Sequence, residues 1–311
     1  MKNQYVVGFY CAIFLLTQIN SDAQVKHDQK DSTKKSYLKA GISYLSDNVY
    51  LGRRDSVSVP YISPSLGYYH KSGLYFNSSF SYIPVSGEMR IDLITLEGGY
   101  TYSTKKLNVE ISVSKEFYSS QSYNVNSEVK GRADSYLSYD LGFIEPSLQA
   151  GVNFASNPDF GIGLGLEHSF STAEDKLEIS PSFLANVATQ NYYADYYKNR
   201  RYSSNRKTKK QGNTNYEITG SLSDASKFQL MDYELSLPIN YTIKKFTLNF
   251  TPTYAIPLNP AEITTTVKPS NGNSYSQISV EKLENIFYCS LSLIYKFQKK
   301  AYRNANMVKA K

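Results

Sequence analysis

Residues 246–256 read Phe-Thr-Leu-Asn-Phe-Thr-Pro-Thr-Tyr-Ala-Ile. Phe246, Leu248, Phe250, Pro252, Tyr254 and Ile256 share one parity, while Thr247, Asn249, Thr251 and Thr253 share the other. A helix would mix the two sets around its circumference, whereas a strand sends alternate side chains to opposite faces. The stretch is therefore a strand with one apolar face and one face of hydroxyls and amides. Leu107, Val109, Ile111 and Val113 alternate with Asn108, Glu110, Ser112 and Ser114 in the same way, as do Leu177, Ile179, Pro181 and Phe183 with Glu178, Ser180 and Ser182.

The pattern continues along the chain as segments of about ten residues separated by turns. About twelve strands result, with approximate spans 37–46, 58–70, 73–83, 91–103, 106–119, 134–142, 144–154, 159–172, 176–197, 227–243, 245–258 and 282–298. Short turns fall at His70–Gly73, Thr104–Lys105, Ala173–Asp175 and Lys244–Lys245. Longer connections fall at 47–57, 84–90, 120–133, 198–226 and 259–281. Alternation of short and long connections is the rule of transmembrane barrels, whose periplasmic turns are short and external loops long. The expected fold is all-β: a closed, antiparallel, up-and-down transmembrane barrel of about twelve strands, with both ends periplasmic.

Composition agrees. Tyrosine occurs 29 times, phenylalanine 15 times and tryptophan not at all. Tyrosine, apolar in body and polar at its tip, suits both membrane interfaces. A mean hydropathy of −0.43 does not argue against a membrane protein, because only alternate residues of such a barrel face lipid. The chain begins with Lys2, an apolar run from Tyr5 to Leu16 and small residues at Ser21 and Ala23. These are the parts of a secretory signal peptide over 1–23. Residues 24–35 read as a polar periplasmic leader, 36–298 as the barrel and 299–311 as a basic periplasmic tail. The expected location is the bacterial outer membrane. Cys289 would be the sole cysteine of the mature chain, so no internal disulfide is expected.

The closing strand, Phe287 to Phe297, ends in Tyr295 and Phe297 and resembles the terminal strand that outer-membrane barrels present to their assembly machinery. The mature chain as a whole resembles bacterial outer-membrane β-barrel proteins of the mid-sized class. That resemblance implies outer-membrane lipids and the barrel assembly machinery as partners. The chain departs from it in continuing past Phe297 to Lys311, where the family often stops at the aromatic residue.

Candidate functional residues lie on the polar parity. Glu97, Glu110, Glu145, Glu167 and Glu178 cluster toward the short turns, with Glu97 near Glu110 and Glu167 near Glu178 by hairpin register. They form either a constriction that attracts cations or basic solutes, or a packed set paired with Lys245 and Lys296. The two readings weigh equally. Gly161, Gly163 and Gly165 share the lumen parity and leave space there. Prolines recur on the apolar parity in Ile62–Leu66, Ile144–Leu148, Ile179–Phe183 and Phe250–Tyr254, a repeat pointing to hairpin duplication.

In the longest connection seven of the thirteen residues from Lys198 to Lys210 are basic, namely Lys198, Arg200, Arg201, Arg206, Lys207, Lys209 and Lys210. The plain reading is a solvated loop. The functional one is an external anion-binding loop for lipopolysaccharide phosphates. Tyr192, Tyr193, Tyr196 and Tyr197 before it read as the outer aromatic girdle rising into a hairpin. The net charge of +7 sits largely in this loop and the tail, so no nucleic-acid partner is expected.

Catalysis is not expected. Gly165-Leu-Glu-His168-Ser169-Phe-Ser171 resembles the histidine and serine of the outer-membrane phospholipase family, but Phe170 and Thr172 interrupt the Ser-Asn-Gly that follows the family's histidine. Three histidines and the mature cysteine show no metal-ligand spacing, so neither metal nor cofactor is expected. The leading functional expectation is a monomeric narrow channel or transporter for small solutes. The alternatives are a non-conducting surface-binding barrel and, remotely, a membrane-embedded lipid hydrolase.

Overall fold

The computed structural model describes residues 35–54, 58–172, 174, 176–198, 216–269 and 273–297. The signal peptide, the leader up to residue 34, the tail and every basic-loop residue except the exposed Lys198 lie outside that set.

The strands are β1 (Tyr37–Leu45), β2 (Tyr61–Tyr69), β3 (Leu74–Ile83), β4 (Arg90–Ser103), β5 (Leu107–Tyr118), β6 (Gly131–Tyr139), β7 (Glu145–Phe154), β8 (Asp159–Glu167), β9 (Phe170–Ser171), β10 (Leu177–Ile179), β11 (Ser182–Ala188), β12 (Tyr216–Leu222), β13 (Gln229–Ser236), β14 (Ile239–Ile243), β15 (Phe246–Pro257), β16 (Glu262–Pro269), β17 (Tyr275–Val280) and β18 (Ile286–Phe297). One short helix, α1 (Asn191–Tyr196), follows β11. Each wall strand pairs antiparallel with its sequence neighbour, and β1 pairs with both β2 and β18. The sheet therefore closes on itself and leaves no edge in the wall. β8 with β9, β10 with β11, and β13 with β14 are single wall strands briefly interrupted, which makes a closed barrel of 12 strands.

Proline explains two of those interruptions. Pro181 lies between β10 and β11, and Pro238 between β13 and β14. A proline withholds one ladder donor but keeps its carbonyl. Pro181 accepts from His168 N at 3.2 Å, Pro238 from Ser180 N at 2.9 Å and Pro252 from Leu237 N at 3.0 Å. The ladder thus closes across the prolines, and a repeat that puts proline in a barrel wall is tolerated.

The faces are those of a membrane wall. Ile42, Leu66, Phe76, Ile111, Leu148, Leu164, Leu235, Leu248 and Leu293 are large, apolar and exposed on the outside, while Ser43, Ser63, Asn108, Glu110, Gln149, Asn186, Glu234 and Thr253 are buried inside. Polar inside and apolar outside is the arrangement that hydrocarbon, not water, selects. The turns at Lys244–Lys245, His70–Gly73 and Thr104–Lys106 close one rim, and the long connections gather at the other.

One expectation is corrected at that outer rim. The strand placed over 176–197 ends at Ala188, and Tyr192, Tyr193, Tyr196 and Tyr197 belong to a buried helical turn rather than an exposed girdle. The cause is local: Asp159 accepts the backbone N–H groups of Asn191 at 2.6 Å and Tyr192 at 2.7 Å, which holds the first turn. The i, i+4 spacing of the tyrosines then turns their rings inward. The long connections also carry structure of their own: β12, β16 and β17 form a separate three-stranded antiparallel sheet.

Candidate functional site: the lumen and its loop plug

The lumen is unlike at its two ends. Toward the short turns, Gly41, Ser65, Asn77, Thr247, Asn249 and Ser292 face inward and are only half-buried, which leaves a vestibule on that side, whereas Asn108, Ser138 and Glu145 across from them are buried. Toward the outer rim, Leu45, Tyr61, Leu93, Met231 and Tyr288 are fully buried beneath a cluster that includes Val49, Tyr50, Leu51, Val125, Val129 and the tyrosines of α1. Burial of that apolar surface, at about 25 cal/mol per Å², docks the loops into the mouth.

The plug is built from the first connection. Tyr50 and Arg53 exchange backbone hydrogen bonds of 2.7 and 2.9 Å around Leu51 and Gly52, which have φ of 48° and 71°. Two successive positive φ values define a type I′ hairpin turn, a conformation that favours glycine. Gly52 is also required by space, since a Cβ there would meet Pro257 Cβ at 2.9 Å and Asp232 Cβ at 3.0 Å. The tip therefore sits against the inner wall, on β13 and β15.

One side chain fastens it. Arg53, buried, donates through Nε to Glu281 Oε2 at 3.2 Å, through Nη1 to the Leu51 carbonyl at 3.2 Å, and through Nη2 to the carbonyls of Leu258 at 2.9 Å and Asn259 at 2.6 Å. Glu281 also accepts from Ala261 N at 3.0 Å and from Tyr193 Oη at 2.9 Å. Burial and the Glu281 charge both push the Tyr193 phenol up from its ordinary pKa, so it stays a donor. Three connections meet in this knot: the hairpin, α1 and the segment around 258–281. Nothing in the sequence alone singled out Arg53. The Leu-Gly pair two residues before it was the available signal, because consecutive positive φ values suit a hairpin tip.

The five candidate glutamates all face the lumen, but not as one ring. Glu97 stands opposite Ser114 and Glu110 opposite Thr101. What joins the two is Tyr75, whose hydroxyl hydrogen-bonds Glu97 at 2.7 Å and Glu110 at 2.5 Å. Its ring lies over Gly99, where any Cβ would come within 2.6 Å. Glu145 accepts from Ser138 at 2.6 Å and Asn108 at 3.2 Å, and it lies directly opposite Glu167. Glu167 and Glu178 are linked through Ser169 and Ser180, whose hydroxyls are 2.9 Å apart. The buried members are thus held by hydroxyl and amide donors.

Basic groups occupy the other side. Lys39 lies 4.7 Å from the Tyr69 ring centroid and Lys296 lies 4.6 Å from that of Tyr37, both on β1 and β18, about half a turn of the barrel from β7. Lys245 lies 5.9 Å from the Tyr295 ring. Hydrogen bonds to charged groups are worth about 1.5–3 kcal/mol each. Tyr75→Phe, which removes the shared donor of Glu97 and Glu110, is accordingly expected to lower stability by about 2–3 kcal/mol in denaturant titration.

His168 packs edge-on against Phe170, with ring centroids 4.4 Å apart, while Ser169 turns to the glutamates inside. Consecutive strand residues point to opposite faces. The histidine and its adjacent serine therefore do not face each other. Among the described residues no group of three or more His, Cys, Asp or Glu has metal-holding geometry.

A closed twelve-stranded wall with a lipid-compatible exterior and a polar interior defines an outer-membrane β-barrel protein. No protein-family model matches the sequence, nor does any curated protein. The chain is similar in structure to the KdgM porin, with 8% identity, 84% of this chain and 99% of that one covered, and a TM-score of 0.43. It is also similar to the NanC porin, with 10% identity, 84% and 100% coverage and a TM-score of 0.42. LpxR from Salmonella typhimurium is similar at 11% identity, 83% and 99% coverage and a TM-score of 0.39. At these values the likenesses add nothing to what the strand pairings establish.

Proposed function

We propose that this chain is a narrow, loop-gated outer-membrane channel for small solutes. The observation that carries the reading is the Leu51–Gly52 tip seated on the inner wall: the outer mouth is closed by a loop held through side chains, not by the wall strands themselves. Beneath the apolar mouth the lumen face is polar, and on the side of β1–β3 and β15–β18 its residues are only half-buried. On this reading the barrel conducts when the hairpin lifts, and the lumen glutamates give the open pore a preference for cations. The reading assigns His168 no catalytic step. The export signal at the N-terminus and the anion-binding role of the basic loop belong to the same proposal.

Planar-bilayer recording on the purified barrel tests it. The native chain is expected to be mostly closed, with brief openings, and a variant whose residues 48–54 are replaced by a short Gly-Ser link is expected to conduct steadily and to prefer cations. A shortened variant that inserts, resists heat in gel mobility and still passes no current would overturn the channel reading. The non-conducting barrel, with β12, β16 and β17 as its external binding surface, would then stand.

A further inference from the structure

Below the hairpin tip the inner wall carries three glycines; Asp134 fills the space beside Gly151, and Leu184, Asn186 and Gln149 crowd Gly163, while the space beside Gly161 is open. Gly151 on β7 stands opposite Gly161 on β8, with Gly163 one step further along the same face. Beside Gly161 lies a cavity of about 50 Å³, also bordered by Tyr50, Arg132, Asp134, Gln149 and Asp159. That is room for a few water molecules, since about 10–15 Å³ of such space admits one.

Gln149 is 5% exposed, and its Oε1 has no hydrogen-bond partner. It points across the cavity floor, 3.3 Å from where a Cβ on Gly163 would be. A buried acceptor without a donor, on a wall shaped by missing side chains, marks the place of a ligand's O–H or N–H. Charge narrows the class. Arg132 borders the cavity while bonded to Glu116 at 2.7 Å and to Asn153 at 2.7 Å, and Asp134 stands beside it. Glu116 meets the charge of Arg132, and Asp159 also lines the cavity, so the lining offers acceptors and disfavours an anion. The carboxylates and the amide oxygen accept hydroxyls, and the open face of Gly161 admits the edge of a ring.

We propose that this cavity is a binding site for a small neutral polyol, at most one sugar ring, held as it passes through the lumen. The passage, though not the binding, rests on the channel reading. Tyr50 and Leu51 of the hairpin form one wall of the cavity, so on this proposal ring binding displaces the hairpin and competes with its docking. Loosening the hairpin then strengthens binding, because the competent state becomes more populated.

Saturation-transfer NMR with glucose on the detergent-solubilised full chain, against empty micelles, reads this out without any need for conduction. Binding is expected to be saturable in the millimolar range and at least about 5-fold tighter in Arg53→Ala. In the Arg53→Ala background, Gly161→Val and Gln149→Leu are each expected to weaken it by at least about 5-fold. The nearest atom to a Cβ at Gly161 is Ala188 Cβ at 3.7 Å, so the valine enters the cavity rather than a neighbour. Heat-modified gel mobility reports folding of each variant, and either substitution suffices if the other fails to fold. Gluconate is expected to bind more weakly than glucose.

Absence of a saturable signal in Arg53→Ala overturns the site. So does binding unmoved by whichever of the two cavity substitutions folds, or tighter binding of gluconate. Glucose binding by a barrel that never conducts removes the channel and keeps the site, whereas conduction without binding removes the site alone.

Discussion

Arg53→Ala is expected to turn a barrel that opens rarely into one that is open most of the time. The side chain is buried, and its fork reaches Glu281 and the carbonyls of Leu258 and Asn259, 205 and 206 residues away in sequence. Removing one member of a buried ion pair leaves the other charged without its partner, at a cost of about 3–5 kcal/mol. Because Arg53 and Glu281 are paired only while the loops are docked, that cost falls on the docked state. The equilibrium between seated and lifted hairpin should shift by a factor of about 10² to several 10³. Global unfolding of the wall should move little, since no wall hydrogen bond is lost. Glu281→Ala should act in the same direction, and the double variant should cost less than the sum of the singles, because each single strands the same partner. Open probability in bilayers measures the shift. A double variant that equals the sum of the two singles would show that the ion pair is not what holds the plug.

Much of this barrel was legible in the alternation of the chain. Strands such as Leu107–Tyr118 and Phe246–Pro257 begin and end within a few residues of where apolar parity begins and ends, because a wall between lipid and a polar lumen imposes a different partner on every second residue. The outer mouth was not legible in that way. The tyrosines after Asn191 look like a continued girdle, but the remote carboxylate of Asp159, 32 residues earlier, holds Asn191–Tyr196 in a helical turn. The β12–β16–β17 sheet was hidden for a similar reason, as its strands pair across the whole of β13–β15 in sequence. At the candidate site, parity alone put the five glutamates on the lumen face. It did not supply Tyr75, which joins Glu97 to Glu110 from a third strand, or Arg53, whose partners lie in another loop. Parity assigns a face, and contacts across the lumen depend on the closure of the whole barrel.

Leu164→Arg carries the second large effect, and it tests the faces directly. Leu164 lies near the middle of the β8–β9 wall strand, is 57% exposed and stands opposite Leu148 on one side and Ala185 on the other. In water an exposed leucine exchanged for arginine changes stability by about 0.5 kcal/mol or less. On the lipid face of a barrel the same exchange places a guanidinium at the depth where it costs about 2–4 kcal/mol. Ser292→Arg is the matched control, being half-buried on β18 between Ser43 and Asn249 and facing the wet vestibule. It is expected to cost no more than about 1 kcal/mol, because long basic side chains keep their heads in water when water is within reach. Denaturant titration of the barrel folded into lipid vesicles measures both. Equal costs at the two positions would mean that the outside is not lipid-facing. A larger cost for Ser292→Arg would invert the parity on which the lumen, the plug and the cavity beneath it all depend.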